Sequence, residues 1–415
     1  MRFSASVLLA LLLSMAQAQT PSPVLVLPNS GATQVRSGSV LALADGRLAV
    51  VNPLSDSLAL LDGRGRIVAE VALGTGSGPT VLSLSVDGRT AVVLESLGEA
   101  VAWVDLRQQV VLQRAPWPEQ VVPRRVLALS DDQALIDGYQ VQAGRWQVAA
   151  AFCGAPLTLW GGLCLGFAPS GEEQALRLSR LDQPAFRQDV GGVGLGLALA
   201  LDARRGRAYV LYSRATLSQE HWIEEIELAT LRRLRTFWLP AADRLRAMPS
   251  AMLYDGRLGR LYLAYPLEQR VVAIDLRSGL RVGEARTGTY PDGLALSGNS
   301  MLLYARNAAD QTVTVIDADF MIARDTWPSS GLTVDGRLRL GARLYHSAEP
   351  PLSRGARACA SCHASADRPT WTTSPQDQSA AWWDEHVAQQ QGGLSLSELE
   401  RAALVAYVQR IWHKR

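Results

Sequence analysis

From about residue 39 to residue 328 the chain alternates short apolar runs with small polar turns. An apolar run follows a Gly/Pro loop, as in Val81-Leu82-Ser83-Leu84-Ser85 after Gly78-Pro79, or Gly293-Leu294-Ala295-Leu296-Ser297 after Pro291. A turn follows, often Asp-Gly, as at Asp45-Gly46, Asp87-Gly88 and Asp255-Gly256. A second apolar run comes next (Leu48 to Val51, Ala91 to Leu94, Ala208 to Tyr212, Leu261 to Tyr265, Met301 to Ala305). A third ends on an acid, at Asp62, Asp105, Glu227, Asp275 and Asp317. Asp62 and Asp105 are 43 residues apart, and Asp275 and Asp317 are 42 apart. Short strands with turn signals at this period predict four-stranded propeller blades. First strands start near Val40, Val81, Val126, Thr158, Leu195, Ala251 and Leu294, which gives about seven blades; the third and fourth are degenerate and leave six or eight open. Val24 to Leu27 is a candidate strand for the last blade, where it would close the ring and hide the sheet edges.

After about Gly331 the period changes from strand to helix. Leu338, Gly341, Ala342 and Tyr345 share one face of a helix over Arg337 to His346. A second helix is predicted at the end of the chain. Ser395 stands three residues before Glu398 as a capping box, and Leu396, Leu399, Ala403, Tyr407 and Ile411 follow at helical spacing. Arg410, Lys414 and Arg415 lie where cations suit the helix dipole.

The first residues give a different signal. Met1-Arg2, an apolar run from Val7 to Met15 and Ala16-Gln17-Ala18 form a positive region, an apolar core and a small-x-small site. They predict export, with cleavage after Ala18. No later apolar stretch reaches 18 residues, so no transmembrane helix is expected in the mature chain. The expected division is a signal peptide at 1–18, a β-propeller at 19–330 and a small all-α domain at 331–415. The chain has 415 residues, of which 48% are hydrophobic, so two cores are affordable. A net charge of +2 and no long basic run argue against nucleic-acid binding.

Cys359-Ala360-Ser361-Cys362-His363 carries the chemistry. It reads C-x-x-C-H, the attachment signature of a c-type haem. Two thiols three positions apart lie on one side of a helical turn and reach two vinyl groups of one porphyrin, and the adjacent imidazole becomes the proximal iron ligand. The competing readings are a Cys359–Cys362 disulfide, a zinc site lacking a third strong ligand nearby, and a thioredoxin-like motif lacking its βαβ setting. One covalent haem c is therefore expected on Cys359, Cys362 and His363. His386 is the leading candidate for the sixth ligand. The alternatives are an open or water-bound iron and, behind both, His346 and His413. Trp371, Trp382 and Trp383 read as apolar lining around the haem. His221 has no triad partner and reads as a loop or surface residue. Cys153 and Cys164 could be bonded in an oxidising compartment. However, Gly161-Gly162 as a hairpin turn sets Cys164 opposite Leu159, so the pairing stays open.

Two resemblances follow from these residues. The pattern G-x-x-P-x-x-L-A-L-S, Asp-Gly, an apolar strand and V-x-V-I-D resembles the YVTN-type seven-bladed propellers of exported bacterial proteins, which implies a scaffold or binding surface. Gly341 to Tyr345 and Leu404 to Tyr407 resemble the first and last helices of the class I cytochrome c domain. In that family these helices cross near a glycine and an aromatic residue. Leu340 to Trp371 is similar to propeller–cytochrome fusions related to the di-haem peroxidase and MauG group. The chain departs from that group in having one haem motif and from electron-transfer cytochromes in having no methionine after Met321. The expectation is an exported mono-haem cytochrome whose propeller docks a redox partner protein or a small-molecule reductant or oxidant. The alternatives are a haem peroxidase or dehydrogenase subunit with an open iron and a haem-based sensor.

Overall fold

The structure is a computed structural model, and it describes residues 36–119, 121–149, 153–170, 173–183, 185–214, 220–239, 249–348, 358–362, 382, 385 and 396–411. It is a β-propeller. Antiparallel four-stranded meanders occupy 40–72, 79–116, 126–148, 155–194, 195–238, 251–286 and 291–328. The fourth and fifth share one long strand, Arg187–Asp202, which is the outer strand of one and the inner strand of the next.

The middle strands are mostly apolar because both of their faces are covered; Glu224 and Glu225 in His221–Glu227 are buried exceptions, each paired with arginine. Leu48–Asn52 and Ala100–Asp105 are buried at every position, whereas the outer strand Val110–Pro116 is largely exposed. Each blade packs on its neighbours through a separate apolar cluster. Leu58, Val71 and Leu82 join blades one and two, and Leu94, Trp103 and Ile136 join two and three. The ring closes in the same way. Val40, Val50 and Leu61 of blade one meet Tyr304, Val313 and Trp327 of blade seven. Two polar contacts seal that seam. Ser39 Oγ donates to Asp292 at 2.9 Å, and Asn52 Nδ2 donates to Ser329 O at 2.7 Å. Val24 to Leu27 lies outside the described residues. The earliest described strand, Ser37–Gly38, pairs with the first strand of the second blade rather than with the last blade.

The acids that end the third strands serve the turns. Asp105 Oδ1 accepts from the backbone of Arg107 and Gln108 at 2.8 and 2.7 Å, and Asp317 Oδ1 accepts from Asp319 and Phe320 at 2.9 and 3.0 Å. A carboxylate that bonds the backbone two and three residues on builds the turn itself. Asp255 does the same for Arg257 and Leu258, at 2.8 and 3.3 Å. The expected turn follows Asp255 over residues 256–259, with Gly259 as its left-handed residue.

Cys153 and Cys164 are bonded. The hairpin register is as expected, with Leu159 opposite Cys164. The bond forms because Cys153 precedes the strand and lies between blades three and four, beside Leu127 and Leu135. This is the thinnest of the seven clusters, and the cross-link supplements it. His221 is another correction. It starts a strand, pairs with Ser213 and is buried, with neither ring nitrogen partnered. Burial lowers its pKa. Closing a loop of this size is worth roughly 3 kcal/mol. The double variant Cys153→Ala/Cys164→Ala should therefore unfold at clearly lower denaturant in a urea titration, and an unchanged midpoint would contradict the bond's role.

Candidate functional site

Among the described residues, three helices with both ends defined follow the propeller: α1, Gly336–His346; α2, Cys359–Cys362; and α3, Glu398–Ile411; Trp382 and Glu385 are also helical. Asp335 caps α1 by accepting from Arg337 N at 2.7 Å. The capping box of α3 lies two residues later than expected. Ser397 Oγ accepts from Glu400 N at 3.3 Å, and Ser397 N donates to Glu400 at 2.9 Å. The run Ser-Leu-Ser-Glu-Leu-Glu contains two overlapping boxes, and the later one turns Leu399 outward to 61% exposure. The buried face of α3 is Ala403, Leu404, Tyr407 and Val408.

α1 and α3 cross at Gly341. A Cβ there would stand 2.0 Å from Ala403 O and 2.7 Å from Tyr407 Cβ, so only glycine permits the approach. Beside the crossing, the Tyr345 and Tyr407 rings lie 5.3 Å apart. Ala360 is buried in the same cluster, and Cys359 and Trp382 pack against it, half-buried. The motif's first thiol thus lies against the core of the helix pair. Ser361 and Cys362 contribute helical backbone. His363, His386, His413, Trp371, Trp383, Ser395, Lys414 and Arg415 lie outside the described residues, as does the segment 1–18.

The helices sit on one mouth of the propeller. Leu54 of blade one and Ala309 of blade seven enter the helix cluster. Arg343 Nε pairs with Asp310 at 2.5 Å. Arg410 stands in the last turn of α3, as expected, and also reaches the propeller, bonding Asp56 and Pro53 O at 2.8 Å each. Asp56 also accepts from the backbone of Gly76 and Gly78, at 2.9 and 2.8 Å.

Under the helices lies a cavity of about 580 Å³, lined by the first strands of the blades. It was not foreseen, because its walls come from residues scattered from Ser37 to Ile411. At its helix end the His346 ring stands 4.1 Å from the Tyr290 ring, and its Nε2 is 3.0 Å from Tyr407 Oη. His346 Nδ1 is buried without a partner. Burial pushes the imidazole down to about 3 and Tyr290 up to about 12; it raises Tyr407 as well. Tyr290 is held at a left-handed φ of 63° before Pro291, a strained conformation that marks functional positions. Asp292 is tied to Arg306 Nη1 at 2.5 Å.

No protein-family model matches the chain, and no curated protein matches it. Solved structures do. Hydrazine synthase from Kuenenia stuttgartiensis is 16% identical, with a TM-score of 0.51 over 70% of this chain and 98% of that one. A streptogramin B lyase is 12% identical over 67% and 92%, with a TM-score of 0.48. The dihydro-heme d1 dehydrogenase NirN is 15% identical over 72% and 67%, with a TM-score of 0.46. At such identities the hydrazine synthase likeness concerns the fold alone, and it agrees with a propeller.

Two outcomes follow for the helix pair. Gly341→Ala should separate the helices at a cost of about 1–3 kcal/mol, seen as a lower melting temperature. Wild-type stability at the crossing should substitute for it fully only with glycine. His346 is neutral when folded. Below its ordinary 6.5 the unfolded ring binds a proton that the folded ring refuses until about 3. Its contribution is therefore complete above 6.5 and lost as pH falls, by at most about 1.4 kcal/mol per pH unit. Melting curves at pH 5 and 7.5 should converge more in His346→Gln than in the wild type; equal spacing in both would refute this.

Proposed function

We propose that the chain is an exported mono-haem c-type cytochrome. In this reading residues 1–18 are a signal peptide, 19–330 a propeller and 331–415 a cytochrome domain. Cys359 and Cys362 hold the haem by thioether bonds, and His363 is the proximal ligand. The observation that carries the reading is the C-x-x-C-H motif, whose first thiol packs against two helices crossed at Gly341. A disulfide at Cys153–Cys164 fits a chain that matures in an oxidising compartment.

The residues present fit the group. Cys359 opens the helical turn Cys359–Cys362 and packs against the helix core, where Ala360, Tyr345, Leu404 and Tyr407 give an apolar wall. When bound, a haem supplies one-electron chemistry at its iron. The chain's own part is to anchor that group, exclude water with the helix core and Trp382, and present it beside the propeller. The propeller then serves as the docking scaffold for a redox partner protein or a small-molecule reductant or oxidant. His386 is proposed as the sixth ligand.

No helix of the described residues is long and apolar enough to cross a membrane. Optical spectra of the exported protein test the ligation. The ferric form should be low-spin, and the ferrous form should ignore carbon monoxide. His386→Ala should turn the ferric spectrum high-spin and open the ferrous iron to carbon monoxide. A high-spin wild type that His386→Ala leaves unchanged would remove His386 and shift the reading to an open-iron enzyme.

A further inference from the structure

The axial cavity has a chemical character of its own. Most of its wall is apolar, with Leu54, Val81, Phe167, Leu197 and Met252 among its lining residues. Its volume of about 580 Å³ falls within the range of pockets that take small organic ligands. The polar groups gather at the end the helices cover.

Arg125 stands immediately before the first strand of the third blade and lines the cavity. Among the described residues its side chain makes no hydrogen bond or ion pair. Among the described residues neither of its two neighbouring carboxylates hydrogen-bonds its guanidinium, although both act on it through space. Asp292 Oδ2 accepts from Arg306 and Oδ1 accepts from Ser39 Oγ at 2.9 Å. Asp137 Oδ2 accepts from the backbone of Arg124, its Oδ1 is buried without a hydrogen-bond partner, and burial raises its pKa to about 6. A half-buried guanidinium without a hydrogen-bonded anion is costly, and a ligand carboxylate relieves the cost by a charge-assisted, bidentate contact.

Two further groups wait at the same cavity. Arg306 lines it at 1% exposure, with Nε unpartnered. His346 lines it at 6% exposure, with Nδ1 unpartnered. Either tautomer satisfies the Nε2–Tyr407 Oη contact, and in the one where Tyr407 donates the neutral ring carries its proton on Nδ1 and can donate to an oxygen. The far end differs. There Arg36 donates to Leu84 O and Ala128 O, at 2.6 and 3.3 Å, where the first strands of blades two and three end.

We propose that the axial cavity is a binding site for a small organic anion, an apolar body bearing one carboxylate, with Arg125 as the anion's partner and His346 Nδ1 as a second donor. The site is separate from the haem attachment residues and does not require the haem reading to be right. It gives the covered mouth a purpose, since α1 contributes Ala342, Tyr345 and His346 to its lining and α3 contributes Tyr407 and Ile411.

The test uses isothermal calorimetry on the full mature chain, with 2-naphthoate and its neutral isostere naphthalene-2-carboxamide as probes. Wild type should bind one 2-naphthoate per chain. Arg125→Met should weaken naphthoate about tenfold or more, the size of one charge-assisted hydrogen bond, while leaving the amide within about twofold. Leu197→Trp, which fills the cavity from the fifth blade, should abolish binding of both. Each variant is first matched to wild type by circular dichroism and melting temperature. Absence of saturable naphthoate binding, or equal naphthoate affinity in Arg125→Met, overturns the proposal. Because the readout is heat rather than haem absorbance, its failure leaves the cytochrome reading standing, and the reverse holds too.

Discussion

The approach of two helix backbones at Gly341 governs how the last part of this chain meets the first. A side chain at 341 would collide with Ala403 O, so the residue must be one without a Cβ. That contact brings Tyr345 and Tyr407 together and fixes the apolar surface on which Cys359 and Ala360 rest. It also aims Tyr407 at His346, which places a tyrosine–histidine pair at the mouth of the propeller. If the crossing widened, the thiol wall and the cavity roof would loosen together.

The ring supplies a rigid floor. Its seven interblade clusters close without any described strand exchanged between the first and last blades, through apolar packing reinforced by Asn52 with Ser329 and Ser39 with Asp292. The helix pair is fastened to loops of blades one and seven by charge and by apolar contact at once. Arg410 and Arg343 pair with Asp56 and Asp310, while Leu54 and Ala309 enter the helix core. The partly exposed Arg343–Asp310 pair contributes little alone, whereas Arg410–Asp56 is largely buried. Here they orient an interface whose affinity comes from burial. Asp56 is also committed to two backbone amides, so the point where Arg410 lands is fixed.

Local features were legible and distant ones were not. The blades could be read because a strand covered on both faces is mostly apolar along its length. C-x-x-C-H could be read because its chemistry needs only five neighbouring residues. The cap of α3 was misplaced because Ser395 and Ser397 offer equivalent boxes, and only packing against Gly341 chooses between them. The register around Leu159 and Cys164 was right, yet it could not decide the disulfide, because Cys153 lies outside the strand. His221 looked like a surface residue because a lone polar side chain at a strand start gives no sign of what covers it. The cavity and its Arg125, Arg306 and His346 left no sequence signal, since they meet only when distant blades and the final helices assemble.

The central claim is that two sulfurs of this chain carry a porphyrin. The most direct measurement is the intact mass of the exported, mature polypeptide under denaturing conditions. The account predicts the mass of residues 19–415, less two hydrogens for the Cys153–Cys164 bond, plus one haem that survives denaturation and disappears in Cys359→Ala/Cys362→Ala. A bare polypeptide mass, with Cys359 and Cys362 free or bridged, would contradict it.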